Sequence, residues 1–398
     1  MRITLVSQEY PPETAHGGIG TQTRAKAQGL AALGHAITVL SHSPDARRHE
    51  HHDGAVRVVR IPGFDGVLPI HTEPARWLTY SALVAAELAA LAAESAPDLV
   101  DFPEYGAEGY VHLLNRTPWN DVPAVVHLHG PLGMLAHTLG WPETTTELYR
   151  VGTAMEAACL RLADAVYSSS RCSADWCARL YGLDAARLPI LHTGVDTDHF
   201  APGGPAEHGP TIAFVGRIAA SKGADVLLDA ALRMAGEVPR LRLHLIGRGD
   251  PNFVADLRAR ASDAGHPDLL DLPGFVPREA LPAHLRRASV FAAPSRYEGG
   301  PGFVYLEAMA CGLPVVACAG SGAAEVVTHE ENGLLVPPDD AEALVEALRR
   351  LLSNAAERKA LGASARRYAV EETDSRGCLR RIEAFYTRVA ARNLAEPT

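Results

Sequence analysis

The stretch from Ser295 to Gly312 contains two glutamates, Glu298 and Glu307, whose spacing and surroundings suggest chemistry. A Gly/Pro-rich turn follows Glu298, and Glu307 opens an apolar, helix-forming run. Glycine lets a backbone approach a ligand closely, and a helix N-terminus offers free N–H groups to acceptors. A carboxylate can accept hydroxyl donors from a polyol. The stretch therefore predicts a site for a sugar and a phosphate, and a buried loop that starts a helix is the alternative.

Two cations lie close together in a second glycine-containing segment. Arg217 and Lys222 are five residues apart, beside Gly216 and Gly223, and a helix is predicted from Asp225 to Met234. An arginine fork and a lysine point charge can bracket a diphosphate. The alternative is a pair of solvated surface cations, which is the commonest state of Arg and Lys.

The first turn of the chain is also rich in glycine. A strand is predicted over 3–7 and a helix over 21–33, with Gly17, Gly18 and Gly20 between them. A helix N-terminus after glycines is a natural anion site. The spacing is not the G-x-G-x-x-G dinucleotide pattern, so a flexible loop remains the alternative.

Further polar residues follow predicted strands in the first half. Glu104 and Tyr105 come after a strand over 98–102, and His129 ends a strand over 124–129. In an open parallel sheet, ligands bind beyond the carboxyl ends of the strands. His129 is therefore a candidate functional residue, with a packed or capping histidine as the alternative.

Composition excludes several classes of protein. The chain has 398 residues and a formal net charge of −10 without a basic face, which argues against nucleic acid as a partner. Its apolar stretches are too short for a membrane span, and no signal peptide precedes the first strand. The six cysteines show no zinc or CxxC spacing. We therefore expect a cytoplasmic protein with reduced thiols, no stable membrane insertion and no metal.

The pattern of strands and helices predicts an α/β fold with two domains. Residues 1–200 form a first doubly wound, Rossmann-like domain, and a Pro/Gly-rich linker over 198–210 leads to a second one over 201–374. A last helix within 375–398 carries an apolar face that is expected to pack back on the first domain. Two such domains facing a central cleft predict a ligand held in that cleft.

At this point the chain resembles the retaining glycosyltransferase family 4, which has the GT-B architecture of two Rossmann-like domains. The likeness covers nearly the whole length and is specific because the motifs occur in order. These motifs are Gly17-Gly18-Ile19-Gly20, His129-Gly130, Gly194-Val195-Asp196 with Asp198, Phe200 and Pro202, Val215-Gly216-Arg217 with Lys222-Gly223, Gly274-Phe275-Val276, Glu298 to Gly312, and Gly322 with Glu325.

The resemblance implies roles for residues at the matching positions. Arg217 and Lys222, next to Gly216, resemble the pair that holds the donor diphosphate, and Glu307 resembles the carboxylate that takes the ribose hydroxyls. Glu298 and three backbone N–H groups would bind the donor sugar and its phosphate. These N–H groups belong to Gly302, Phe303 and Val304.

The remaining roles concern the base, the acceptor and the sugar. Phe275 and Val276 are similar to the segment whose main chain meets the base, Gly17 and Gly18 would contact phosphate or acceptor, and His129 resembles the histidine that touches the donor sugar. One departure concerns Glu298: eight residues separate it from Glu307, where the family has seven. Its role is therefore the one that the resemblance leaves open.

The family implies a reaction as well. A sugar would pass from a nucleotide-sugar donor, UDP-sugar by preference, to a small soluble acceptor with retention of configuration and without a cofactor. Arg217, Lys222 and helix N-termini would stabilise the leaving diphosphate in place of a metal. The alternatives are a nucleotide-sugar epimerase and a non-catalytic nucleotide-sugar-binding partner. A phosphorylase ranks low because none of the three lysines lies in a convincing site for pyridoxal phosphate. An oligomer is possible.

Overall fold

The computed structural model describes residues 1–14, 18–45, 47–62, 70–117, 121–203 and 209–395, with side chains described up to 391. It divides into two compact units: Met1–Thr193 together with the chain from Cys378 onward, and Gly194–Gly377. The boundary lies before the predicted one at residue 200. The reason is that Val195 pairs with Asp374 and Phe200 is buried in the core of the second unit.

The first unit is a seven-stranded sheet with the order β3-β4-β2-β1-β5-β6-β7. The strands are β1 (Arg2–Val6), β2 (Ala36–His42), β3 (His49–Asp53), β4 (Val56–Ile61), β5 (Leu99–Pro103), β6 (Ala124–Leu128) and β7 (Ala165–Ser168). The helices are α1 (Gly18–Ala32), α2 (Glu73–Ser95), α3 (Tyr110–Leu114), α4 (Leu132–Leu139), α5 (Glu147–Leu162) and α6 (Arg171–Tyr181). All pairs are parallel except β3 with β4, and the parallel strands read as apolar runs because most of their residues are buried.

Two local predictions for this unit were wrong. Helix α1 begins at Gly18, not at Thr21, so that glycine is part of the first helical turn. The apolar segment 188–192 predicts a strand, but it forms only an isolated bridge between Ser168 and Ile190. In contrast, Ser170 is a helix N-cap residue by sequence and does cap α6, since its hydroxyl accepts from the Ser173 N–H at 3.0 Å.

The second unit is a six-stranded sheet with the order β10-β9-β8-β11-β12-β13, parallel throughout. The strands are β8 (Thr211–Val215), β9 (Arg242–Ile246), β10 (Leu270–Gly274), β11 (Val290–Ala293), β12 (Val315–Cys318) and β13 (Gly333–Val336). The helices are α7 (Ala224–Met234), α8 (Pro251–Asp263), α9 (Leu281–Leu285), α10 (Phe303–Ala310), α11 (Ala341–Ser353) and α12 (Ala355–Glu371). Both units are thus Rossmann-like, which confirms the predicted fold class.

The last helix, α13 (Ser375–Ala395), belongs to the first unit for most of its length. Its apolar face packs into the core beside residues of β1 and α1. This face consists of Leu379, Ile382, Phe385, Tyr386 and Val389. None of the helices in the described parts of the chain is long and apolar enough to cross a bilayer.

A buried polar cluster joins α13 to α1, β5 and β7. Lys26 Nζ lies 2.5 Å from Asp101 Oδ2 and donates to the Tyr167 hydroxyl at 3.0 Å. The hydroxyls of Tyr167 and Tyr386 both donate to the same carboxylate. These four side chains are nearly inaccessible to solvent. A buried ion pair is tolerated when hydrogen bonds satisfy it, and here two tyrosines do so.

Lys26→Met is expected to destabilise the first unit by about 3–5 kcal/mol, because it leaves the Asp101 carboxylate buried without its cation. Urea unfolding measures this change. Arg2→Met is the matched control, since the Arg2–Asp98 ion pair has side chains that are 51% and 38% exposed and is worth less than about 1 kcal/mol. Equal losses in the two variants would contradict the role of burial.

Candidate functional site

The predicted donor residues of the second unit all follow the carboxyl ends of its strands. Strands β8 and β11 are neighbours although β9 and β10 lie between them in sequence, so the strand order reverses at this point. Ligands of open α/β sheets bind at such a reversal. The loops after these two strands carry Arg217, Lys222 and Glu298, and the start of α10 carries the predicted amide donors.

Close backbone packing shapes the loop after β8. A Cβ on Gly247 would lie 1.9 Å from the carbonyl oxygen of Gly216, and Gly247 has a φ of +147°. The Ile218 N–H donates to the Arg248 carbonyl at 2.7 Å, which joins this loop to the one after β9. The arrangement leaves Arg217 exposed, and its guanidinium has no hydrogen bond or ion pair with a described residue. Arg217 is therefore available to an anion.

Lys222 and Glu298, which the sequence treats as separate ligands, form an ion pair. Lys222 Nζ donates to Glu298 Oε1 at 2.7 Å and to the Tyr297 carbonyl at 3.1 Å. The side chains of the pair are 25% and 15% exposed. The contact connects the loops after β8 and β11, so it spans the point where the strand order reverses.

Arg296 holds the same two loops together. Its N–H donates to the Ser221 carbonyl at 3.0 Å, and its guanidinium pairs with Asp225 at 3.2 Å. Arg296 lies inside the stretch 295–312 but was not among the predicted site residues. A basic residue in a glycine-rich loop gives no signal of its partner when that partner is distant in sequence.

The start of α10 provides free backbone donors. Gly302 has a φ of +68°, and a Cβ there would lie 2.7 Å from the Tyr305 ring, so glycine is required. No side chain caps this helix. The N–H groups of Phe303 and Val304 have no acceptor in the described part of the chain. Such groups, aligned with the helix dipole, form an anion site.

Glu307 lies within α10 and not in its first turn, because the helix begins at Phe303 directly after the Gly302 turn. Its side chain is 4% exposed and its Oε1 lies 2.9 Å from Arg278 Nη2. Burial raises the pKa of Glu307, while Arg278 and His199 act in the opposite direction. Arg278 is a second residue that the sequence analysis missed; it lies two positions after the predicted base segment.

The predicted base segment follows β10. The Phe275 side chain is 63% exposed, and the Arg248 guanidinium lies 5.0 Å from the centre of its ring. Val276 is half-buried and packs against the core. An exposed aromatic ring beside an arginine can stack on a planar base.

In the first unit, His129 follows β6 and its backbone is held by Glu104. The N–H groups of His129 and Gly130 donate to the Glu104 carboxylate at 2.7 Å and 2.5 Å. The His129 ring lies 4.0 Å from the ring of His127. Burial, and secondarily the charge of Lys26, lower the pKa of His129 to about 3, so its imidazole is neutral at ordinary pH.

The glycines after β1 are only partly described. Gly18 is the first residue of α1 and has no heavy atom near the position of a Cβ. A Cβ on Gly20 would lie 2.9 Å from Glu9 Cβ, so this turn is closely packed. Gly17 lies outside the described residues. Within those residues, no group of three His, Cys, Asp or Glu side chains is arranged to hold a metal.

Glu104→Gln is expected to change how stability depends on pH. Burial raises the pKa of Glu104 from 4.5 to about 7, so the folded chain retains a proton that the unfolded chain releases. The stability that the protonated Glu104 adds to the folded chain is fully present below the pKa of Glu104 in the unfolded chain. It is lost as the pH rises through about 7. Between about pH 5 and pH 8, the wild type should lose about 2–3 kcal/mol relative to the variant.

Urea unfolding at the two pH values measures that difference. Glu143→Gln, at an exposed position between α4 and α5, is the control and should leave the pH dependence unchanged. If the difference in free energy of unfolding between Glu104→Gln and the wild type is the same at both pH values, Glu104 ionises in its usual range.

Comparisons with known proteins identify the family of the chain. The family described as Glycosyltransferase Family 4 matches residues 16–199, and the family described as Glycosyl transferases group 1 matches residues 195–368. The chain is 34% identical to the GDP-mannose-dependent alpha-(1-6)-phosphatidylinositol monomannoside mannosyltransferase of Mycolicibacterium smegmatis, over 64% of this chain and 72% of that protein. It is also 34% identical to the D-inositol 3-phosphate glycosyltransferase of Kribbella flavida, over 67% and 65% of the two chains.

Among solved structures, sucrose-phosphate synthase from Thermosynechococcus elongatus is similar with a TM-score of 0.82. The two chains are 25% identical, and the match covers 98% of this chain and 99% of the other. The fold and these matches define a glycosyltransferase of the GT-B type. The chain belongs to glycosyltransferase family 4, as its residues predicted.

Proposed function

We propose that the protein transfers a sugar from a nucleoside-diphosphate sugar to a hydroxyl group of a small polyol acceptor, with retention of the anomeric configuration. The proposal rests on the groups that cluster beyond the carboxyl ends of the central strands β8 and β11 in the second unit. There, an exposed Arg217, the Lys222–Glu298 pair and the free N–H groups of α10 follow neighbouring strands. This set of groups matches the negative charge and the hydroxyls of such a donor.

The donor diphosphate would bind at the groups that follow β8 and precede α10. Arg217 and Lys222 would face its oxygens, and the N–H groups of Phe303 and Val304 would donate to them. Glu307 would accept the ribose hydroxyls, and Phe275 would lie against the base. Glu298 already accepts from Lys222, so its role in the proposal is to orient that lysine and to accept from a donor-sugar hydroxyl.

The chemistry breaks the bond between the anomeric carbon and the diphosphate oxygen and forms one to the acceptor oxygen on the same face. The acceptor proton passes to the departing phosphate oxygen. Arg217 and Lys222 stabilise the charge on the leaving group, so the proposal requires neither a metal nor a covalent intermediate. His129, with its neutral imidazole, serves as a hydrogen-bonding group for a sugar hydroxyl.

The donor base and the acceptor are finer points of the proposal. The family resemblance favours UDP and leaves GDP and ADP as alternatives. The Mycolicibacterium relative is named for its dependence on GDP-mannose, so guanosine is the main competing base. Both relatives have names that contain inositol. We therefore propose a cyclitol or sugar hydroxyl as the acceptor.

The test is a ¹H NMR time course with UDP- and GDP-sugars, each with and without inositol, inositol phosphates or monosaccharides. The expected result is a new glycoside whose anomeric coupling matches that of the donor. An inverted product would overturn retention. Conversion of the donor sugar without an acceptor would instead indicate an epimerase, and tight nucleotide-sugar binding without any product would indicate a non-catalytic partner.

A further inference from the structure

Arg278 contacts the buried Glu307 from the loop after β10. Arg278 Nη2 lies 2.9 Å from Glu307 Oε1, and the two side chains are 29% and 4% exposed. Glu307 Oε2 has no hydrogen bond with a described residue, and it is not among the fully enclosed polar atoms. The carboxylate thus has one oxygen engaged by the arginine and one oxygen open to a ligand.

Two aromatic rings fix the position of that guanidinium. Its central carbon lies 5.3 Å from the centre of the Phe200 ring and 5.7 Å from the centre of the Phe303 ring. Phe303 is the first residue of α10, the helix that also carries Glu307. Cation–π contacts hold a guanidinium by its face, which leaves its edge to pair with the carboxylate.

The position of Arg278 has an electrostatic consequence for Glu307. Burial alone favours the neutral carboxyl group, and Arg278 is the main influence that favours the ionised form. The other titratable groups that interact with Glu307 are His199, whose Nε2 lies 3.3 Å from the Arg278 carbonyl, and Cys311 on the same chain segment as α10. Only an ionised carboxylate accepts from two hydroxyl groups without also presenting a proton.

We propose that Arg278 is a positioning residue for nucleotide binding: held between Phe200 and Phe303, it engages one oxygen of Glu307 and orients the carboxyl group, so that the other oxygen receives the ribose hydroxyls. This inference rests on the proposed function, because it assumes a nucleoside-diphosphate donor. It assigns Arg278 a role through Glu307 and not through direct contact with the diphosphate. Nucleotide-binding measurements can distinguish these two roles of Arg278.

The experiment is titration calorimetry with UDP and GDP and with their 2′,3′-dideoxy analogues. Removal of the hydroxyls should weaken binding to the wild type by roughly tenfold or more. Arg278→Met should weaken binding of the parent nucleotide similarly, and it should have little further effect on the dideoxy analogue. Such non-additivity is expected only when both changes remove the same interaction.

A pH series supplies a second readout that a general loss of structure would not produce. In Arg278→Met, the pKa of Glu307 loses the main influence that opposes burial, so nucleotide affinity should fall more steeply than in the wild type as the pH is lowered. Arg278→Lys should largely restore the wild-type profile, because it keeps the charge.

Arg258→Met, at an exposed position on α8, is the matched control and should bind both nucleotides like the wild type. Thermal unfolding of each variant verifies that it is folded. Additive losses from Arg278→Met and from the dideoxy analogue, or unchanged affinity in Arg278→Met, would overturn this inference alone. A wild type that binds no nucleoside diphosphate would overturn the proposed function and this inference together.

Discussion

Lys222→Met is expected to lower kcat/KM for sugar transfer by roughly a hundredfold or more, the usual effect of removing one group that stabilises developing charge. Two losses combine in this variant. The diphosphate loses a cation, and the Glu298 carboxylate, now without its partner at 2.7 Å, repels it. Steady-state kinetics with the donor varied measures the effect.

Glu298→Gln in the Lys222→Met background separates these two losses. If repulsion contributes, the double variant should recover part of the donor affinity. Lys359→Met is the control, since Lys359 is an exposed lysine on α12 of the same unit. Transfer kinetics of Lys222→Met equal to those of the wild type would remove Lys222 from the diphosphate site.

Glu307→Gln is expected to weaken nucleoside-diphosphate binding by roughly 10- to 100-fold. It replaces an ionised acceptor with a neutral one, and hydrogen bonds to charged groups contribute about 1.5–3 kcal/mol. Affinity for inorganic pyrophosphate should fall little, because that ligand has no ribose. Calorimetry with the two ligands separates a ribose contact from a general change of charge.

Glu331→Gln provides the comparison. Glu331 is exposed and lies just before β13, away from the loops after β8 and β11 that carry the proposed donor site. It should bind both ligands like the wild type. Parallel losses of nucleotide and pyrophosphate affinity in Glu307→Gln would contradict the ribose contact.

Much of the fold could be predicted because parallel strands buried on both faces have continuous apolar sequences. Val290–Ala293 and Val315–Cys318 are examples. Strand β3 (His49–Asp53) escaped prediction, since all five residues are polar and it is an edge strand held by pairing with β4. The sequence was also expected to form a loop over 132–143 in the first domain, where the structure has helix α4 (Leu132–Leu139).

The candidate site was predictable in its residue types but not in its pairings. Motif spacing selected Lys222, Glu298 and Glu307 individually. Nothing local in the sequence indicates that Lys222 contacts Glu298, or that Arg278 contacts Glu307, because tertiary folding brings together loops from different strands. The same reason explains why Arg296 was missed, although it joins the two central loops of the second unit.

The place of Tyr386 in the buried cluster with Lys26 and Asp101 has a consequence for biosynthesis. The first unit is translated first, yet its core lacks the apolar face of α13 and a hydrogen bond to Asp101 until that helix leaves the ribosome. Domains usually acquire structure in the order of their synthesis. The second unit does not depend on that helix, so a released chain truncated before Tyr386 should contain a protease-resistant second unit and a protease-sensitive first unit.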